Sequence, residues 1–243
     1  MQFEIVTGPL TPLEAADALV HTREIIIHTA AKHGLRATFA PRLNMDYSGN
    51  SAHAHISIHS KHAIKTADGL SPPEASFLSS VLTNLPALTA LTMPIPASYR
   101  RMVDGIWSCG TYVNWGTENR EAPIRLANAT SPSSRNFEVR CVDATANPYI
   151  ALASILGVGF DGISKNVGLT IQDCPGPVTA GEMTEESRQA LGIINRMSLS
   201  WEESRRNLSA NRLLTDHILG PELTEKYLNV NEVCRSARGK DSM

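Results

Sequence analysis

Apolar and polar residues alternate with a period of two through Ser51-Ala52-His53-Ala54-His55-Ile56-Ser57-Ile58-His59, the pattern of a strand with one dry and one wet face. The wet face carries three histidines and serine. Residues 1–6 read as another strand. Thr11-Pro12-Leu13-Glu14 is a capping box with proline at the first helical position, and Leu13, Ala16, Leu19, Val20, Ile26, Ile27 and Ala30 follow at helical spacing until Gly34 stops the helix. Residues 35–43 read as a strand and 44–50 as a turn rich in Asn, Asp, Ser and Gly. A second helix, broken by Pro86, is expected over 72–91, then an irregular segment containing Ser98-Tyr99-Arg100-Arg101. Strands are expected at 111–115, 123–126 and 137–142, and a buried helix from Asn147-Pro148 to Ile163. Beyond a Gly/Pro-rich link at 173–181 the chain reads as helices over 184–197, 200–208 and 221–238. Strands mixed with helices, without βαβ regularity, predict an α+β fold in which an antiparallel sheet is layered with helices. Residues 1–165 would form the sheet-and-helix core, and 182–238 a helical part packed on the same layer.

Composition narrows the function. With 243 residues, 42% of them hydrophobic, the chain can bury a substantial core. A net charge of −2 leaves no electrostatic footprint for nucleic acid. No signal peptide and no apolar run of membrane-spanning length stands out, so neither nucleic acid nor membrane is an expected partner. Cys109, Cys141, Cys174 and Cys234 form neither a CxxC pair nor a zinc spacing, which suits a cytoplasmic setting. Cys109 and Cys141 read as buried thiols rather than nucleophiles.

The candidate chemistry lies in the middle of the chain. Imidazole is a common ligand for divalent metals and also contacts phosphates. Arg100, Arg101, Arg120, Arg125, Arg135 and Arg140 are interleaved with Glu118, Glu121, Glu138 and Asp143. Arginines in such strands suit bidentate recognition of carboxylate or phosphate, and carboxylates beside them can hold a bridging cation. The same spacing also suits internal salt bridges across a polar sheet.

Several motifs resemble those of the glutamine synthetase family, in family order. They are Gln2-Phe3-Glu4, Gly49-Asn50-Ser51-Ala52-His53-Ala54-His55, Ser98-Tyr99-Arg100-Arg101, the run from Trp115-Gly116-Thr117-Glu118-Asn119-Arg120 to Arg125, and Phe137-Glu138-Val139-Arg140 through Asn147-Pro148-Tyr149. The form Trp-Gly-x-Glu-Asn-Arg-Glu-Ala-Pro is similar to the FluG-like fungal branch. The resemblance implies the C-terminal part of the family's catalytic domain. The implied activity is an ATP-dependent ligase that joins the γ-carboxyl of glutamate to ammonia or an amine through an acyl phosphate. It implies Glu4, His53 and Glu138 as ligands of Mg²⁺ or Mn²⁺, and His55 and Arg125 on the nucleotide. Gly49, Arg101 and Arg140 would bind glutamate, and Arg120 the reacting phosphate.

Departures from the family pattern change that picture. Two metal-binding glutamates on an upstream strand, a third shortly before the Glu4 position, and an N-terminal β-grasp domain would all precede Met1. The expectation is therefore a ligase impaired by truncation, or a non-catalytic binding or assembly module that forms a homo-oligomer or joins a full-length paralogue. Where the bacterial enzyme has a mobile glutamate that shields the intermediate, this chain has Trp107, which offers an apolar cover for an amine. Asn136 stands in place of an ATP-side arginine, with Arg135 beside it as a substitute.

Overall fold

The computed structural model describes residues 3–45, 49–61 and 69–238. At its centre lies helix α2 (Pro72–Thr92). The Ser71 amide and hydroxyl donate to Glu74 Oε2 at 2.9 and 2.7 Å, closing a capping box, with proline in the first turn. The break expected at Pro86 does not occur. Leu78, Val81, Leu82, Leu85, Leu88 and Leu91 are all buried, so packing on every side outweighs the missing N–H of one proline. The Pro86 carbonyl accepts from the Thr89 and Ser198 hydroxyls. Contrary to the expectation of no membrane-length apolar run, α2 meets that length and composition, although most of it is buried inside the fold.

Helix α3 (Pro148–Lys165) packs along α2. The Asn147 side chain caps it by accepting from the amides of Tyr149 and Ile150 at 3.0 and 3.3 Å. Close approach depends on Gly159, where an added Cβ would lie 2.0 Å from the Phe77 ring. That ring stacks on Phe137 of the sheet, with centroids 6.1 Å apart, so it has nowhere to retreat. Gly159→Ala is therefore expected to destabilise the domain by about 1–3 kcal/mol despite alanine's better helix propensity. A denaturant midpoint equal to wild type would contradict this.

The sheet is smaller than the pattern predicted. It comprises β1 (Ala54–Ile56), β2 (Trp115–Thr117), β3 (Ile124–Ala127) and β4 (Asn136–Val139) in the order β1-β4-β3-β2. The α+β layering stands, and the β1–β4 and β4–β3 pairs are antiparallel, but β2 pairs with β3 in parallel. The nine-residue histidine strand contracts to three residues. The strand expected over 111–115 begins only at Trp115, with Tyr112 making a single bridge to Arg196. Residues 3–6 and 35–40 form no strand; Phe3, Ile5, Val6 and Leu35 are exposed, with no described neighbouring strand to complete a ladder.

Helix α1 (Pro12–Lys32) has the expected capping box and is followed by Gly34 at φ 67°. It rests on α3, where the Tyr149 hydroxyl donates to Asp17 at 2.6 Å, and buries only Ala16 fully. In the C-terminal part, α4 (Glu185–Ala190) is far shorter than the helix expected to residue 197, because Gly192 at φ 73° turns the chain away. Helix α5 (Trp201–Ala210), an unanticipated π-helical turn (Leu213–Ile218) and α6 (Pro221–Arg238) follow. The Tyr227 hydroxyl donates to the Ala90 carbonyl at 2.8 Å, which fastens α6 to α2.

Candidate functional site

The pleat of the sheet assembles the site. Ile56, Phe137 and Leu126 stand opposite one another across β1, β4 and β3, as do Ala54, Val139 and Ile124. These two apolar sets belong to the core formed with α2. The set between them, His55, Glu138 and Arg125, must project to the other face because strand side chains alternate. Gly116 of β2 continues that set beside Arg125. One crosswise line thus places three of the predicted residues together.

His53 and Arg140, two residues from His55 and Glu138, lie on the same face and converge on the Glu138 carboxylate. His53 Nδ1 and Arg140 Nη1 each lie 2.7 Å from Glu138 Oε1, and Arg125 Nε forms an ion pair with Oε2. His55 Nε2 lies 4.0 Å away, while its Nδ1 contacts Asn136 Oδ1 at 2.8 Å. Glu138 is only 3% exposed. Burial alone would raise its pKa, but the hydrogen bond from His53 and the charges of Arg140 and Arg125 hold it at about 2. An ionised carboxylate can only accept, which fixes the His53 proton on Nδ1 and leaves the Nε2 lone pair free to bind. Burial, reinforced by Arg140 and Arg101, also keeps the His53 pKa below the usual imidazole value, against the opposing pull of Glu138.

The glutamate-side positions meet behind this cluster. Arg101 ends a 3₁₀ helix (Pro96–Arg101) and is 1% exposed. It donates Nη1 to the Val142 carbonyl and Nη2 to the Arg140 carbonyl, both at 3.3 Å. A Cβ on Gly49 would fall 2.4 Å from the Pro41 carbonyl oxygen and 2.8 Å from Arg101 Cγ, so only glycine lets these segments close. Arg42 locks the same turn by donating to the carbonyls of Arg100 and Met45.

Arg140 reaches further. Its Nε donates to the Ser108 carbonyl at 3.1 Å and its Nη2 to that of Trp107 at 3.0 Å. The loop carrying Trp107 is also held by Glu121, which accepts from the Gly105 and Trp107 amides at 3.1 and 2.8 Å. Asp104 closes its base on the amide and hydroxyl of Thr111. Glu121 itself sits in the short β2–β3 connection, where Glu118 takes φ 49° and the Asn119 amide group donates to the carbonyls of Cys174 and Val178.

Not every expected residue joins the cluster. Arg120 is exposed on the β2–β3 connection and makes no hydrogen bond or ion pair with the described residues. Glu4 lies in the exposed arm before α1. Arg135 does not substitute for Asn136, because it turns inward, 1% exposed, and donates to Glu74. The other carboxylates considered for a cation are engaged elsewhere: Glu118 on the Asn128 amide, Glu121 on the loop amides, and Asp143 through Oδ1 on the amide and hydroxyl of Thr145, its buried Oδ2 having no hydrogen-bond partner among the described residues. The roles of Glu121 and Asp143 were not recoverable from their spacing, because each accepts backbone amides whose positions follow from loop geometry. Cys109, Cys141 and Cys174 are free and buried, and burial raises each thiol's pKa.

A divalent cation tests this donor set. Among the described residues no three His, Cys, Asp or Glu side chains converge to hold a metal. The Glu138 oxygens already face His53, Arg125 and Arg140, which leaves the Nε2 atoms of His53 and His55 as the cluster's ring nitrogens outside hydrogen-bond distance of a described partner. Mg²⁺ requires near-octahedral coordination, largely by oxygen, so these residues do not complete such a site.

The sheet face thus sets one buried carboxylate among imidazoles and arginines. The family model for the glutamine synthetase catalytic domain matches residues 1–235, and the chain belongs to that family. It is 39% identical over 229 residues to Protein fluG of Emericella nidulans, an alignment covering 94% of this chain and 24% of that protein. It is 36% identical over 237 residues to the gamma-glutamylpolyamine synthetase GlnA3 of Streptomyces coelicolor, covering 94% of this chain and 50% of that one. Among solved structures, the GmaS/ADP complex superposes with a TM-score of 0.75 at 25% identity, covering 96% of this chain and 53% of the other. The chain thus spans half or less of the length of these curated relatives.

Proposed function

We propose that this domain takes part in ATP-dependent ligation of the γ-carboxyl of glutamate to ammonia or an amine. The observation that carries the reading is the convergence of His53, His55, Arg125 and Arg140 on Glu138 across one sheet face. Family membership supports it, as do relatives named for glutamine and γ-glutamylpolyamine synthesis and a related structure named for its ADP complex. In this reading a γ-carboxylate oxygen attacks the terminal phosphorus of ATP and ADP leaves. The amine nitrogen then attacks the acyl carbon, phosphate departs, and the amine's proton passes to water.

The cluster's contribution is electrostatic positioning, the main need of phosphoryl transfer. His55 and Arg125 face the nucleotide, while Gly49, Arg101 and Arg140 shape the glutamate side. Arg120, exposed and unengaged, is free to meet the transferring phosphoryl group. ATP is taken with Mg²⁺ or Mn²⁺, and coordination of that cation is not assigned to these residues alone. Glu4, His53 and Glu138 remain the positions proposed to face it.

The short donor set favours one second reading, a module that binds nucleotide or assembles with other copies or a longer relative without turnover. Phosphate release from ATP with Mg²⁺, glutamate and an amine separates the two. The ligase reading expects release dependent on both glutamate and amine and lost in His53→Ala. Release no higher than in that variant would leave only the module, which predicts that calorimetry still detects an ATP analogue.

A further inference from the structure

The rings of His53 and His55 are each locked in one tautomer, and by different partners. The Glu138 carboxylate accepts from His53 Nδ1 at 2.7 Å. For His55 the partner is Asn136. Its Nδ2 donates to the Ser134 carbonyl at 2.9 Å, which turns Oδ1 toward His55 Nδ1 at 2.8 Å. An amide oxygen only accepts, so the His55 proton also sits on Nδ1. Each ring therefore presents an unprotonated Nε2, a poor partner for a phosphate oxygen and a good one for a metal ion. The two rings stand two residues apart on one face, and pairing runs past both, since the Ala52 amide donates to the Val142 carbonyl beyond β1. They flank a single atom: His53 Nδ1 and His55 Nε2 lie 2.7 and 4.0 Å from the same Glu138 oxygen. Their side chains are 22% and 47% exposed, so the pair opens to solvent.

We propose that His53 and His55 form a two-imidazole chelate for a borderline divalent cation of the Zn²⁺ or Ni²⁺ kind, with Glu138 and Asn136 as its outer contacts and water completing the coordination. The inference does not depend on turnover. A carboxylate and an amide carbonyl behind the second ring nitrogen are the outer contacts that orient a ligating imidazole and make it more basic. The surroundings choose the ion. Both donors are neutral nitrogens, and the charge of Glu138 is answered by Arg140 and Arg125, with Arg101 close enough to oppose a further positive charge. Glu118, 3.5 Å from Arg125, offsets part of this. A hard ion such as Mg²⁺, held by oxygen ligands and charge, gains little here, whereas Zn²⁺ and Ni²⁺ bond to imidazole nitrogen directly. The chelate is particular to this chain because of Asn136. The arginine that the family resemblance leads one to expect there would only donate, which would move the His55 proton to Nε2.

The whole chain is titrated by calorimetry with Zn²⁺ alone and with Mg²⁺ alone, at about pH 8, above the ordinary imidazole range. Zn²⁺ is expected to bind roughly tenfold or more tightly than Mg²⁺. His55→Ala should weaken Zn²⁺ binding by about tenfold or more, and Asn136→Leu by about tenfold, because the ring loses the acceptor that fixes its tautomer. His59→Ala should leave the affinity unchanged, since that ring meets Ser57 instead. Long-range proton–nitrogen spectra of the metal-free wild type should show both rings protonated at Nδ1, and Zn²⁺ should shift both Nε2 signals together. Those spectra require no variant to fold. Absence of Zn²⁺ binding, Mg²⁺ binding as tight as Zn²⁺, a proton on either Nε2, or an unchanged affinity in His55→Ala would each overturn the proposal. So would an equal loss in His59→Ala, which would place the ion elsewhere.

Discussion

Replacing Arg135 by alanine is expected to destabilise the domain by about 3–5 kcal/mol, the loss typical when one partner of a buried ion pair is removed. Arg135 and Glu74 are 1% and 2% exposed, and the Arg135 Nη2 to Glu74 Oε2 distance is 2.8 Å. Alanine would leave the buried carboxylate in the first turn of α2 with its charge uncompensated and only the Ser71 amide and hydroxyl donating to it, while also leaving a cavity. The pair ties the first turn of the central helix to the segment entering β4, so the damage should reach the sheet. Glu74→Gln combined with Arg135→Met should recover part of the loss, since a neutral amide oxygen can still accept from the Ser71 amide and hydroxyl while no charge is left buried.

The effect has a definite pH dependence. Burial would raise the Glu74 pKa, but hydrogen bonds from Ser71 and Arg135 outweigh it and hold the folded value below the ordinary 4.5. The unfolded state therefore binds more protons in this range. The contribution is fully present above the unfolded value and is lost as pH falls through the lower folded one. Urea unfolding should accordingly show a large gap between wild type and Arg135→Ala at pH 7, shrinking below about pH 4.5 as Glu74 protonates. A gap that stays constant with pH would count against the pair as its source.

The second large effect is expected at Arg140. One guanidinium, 5% exposed, binds Glu138 Oε1 and the carbonyls of Trp107 and Ser108. Arg140→Ala should cost about 3 kcal/mol, the low end for a broken buried pair, because His53 and Arg125 still face Glu138. It should also release the Trp107 loop, seen as faster amide exchange at residues 105–108. Arg140→Lys should fail to restore the loop, since an ammonium cannot span a carboxylate and two carbonyls as a planar fork does. Stability within 1 kcal/mol of wild type, measured by denaturant unfolding, would be incompatible with this role.

How legible each residue was depended on the reach of its contacts. The shared face of His53 and His55, and that of Glu138 and Arg140, was legible because strand side chains alternate with a period of two, whereas Arg125 and the roles of all five were implied by the family resemblance alone. Register did the rest, setting His55 and Arg125 on either side of Glu138. Arg135 reads as a substitute for the arginine missing at Asn136 because an arginine beside that position looks the same in sequence whether it faces ligand or interior. Its partner Glu74 lies far away in sequence, on a different element. Pro86 was misread for a related reason, since a local rule for breaking helices says nothing about burial from all sides.

The mixed α+β class, the capping box that starts α1, the Asn147-Pro148 opening of α3 and the polar and apolar faces of the strands were legible in the chain, because each follows from contacts within a few residues. Which charges are spent and which remain available depends on contacts between distant segments. Glu121 went to backbone amides, Arg101 to carbonyls and Arg135 to Glu74, while Trp107 was left held in the open. A buried polar group must find a partner wherever the fold supplies one, and no local pattern in the chain records where that partner lies.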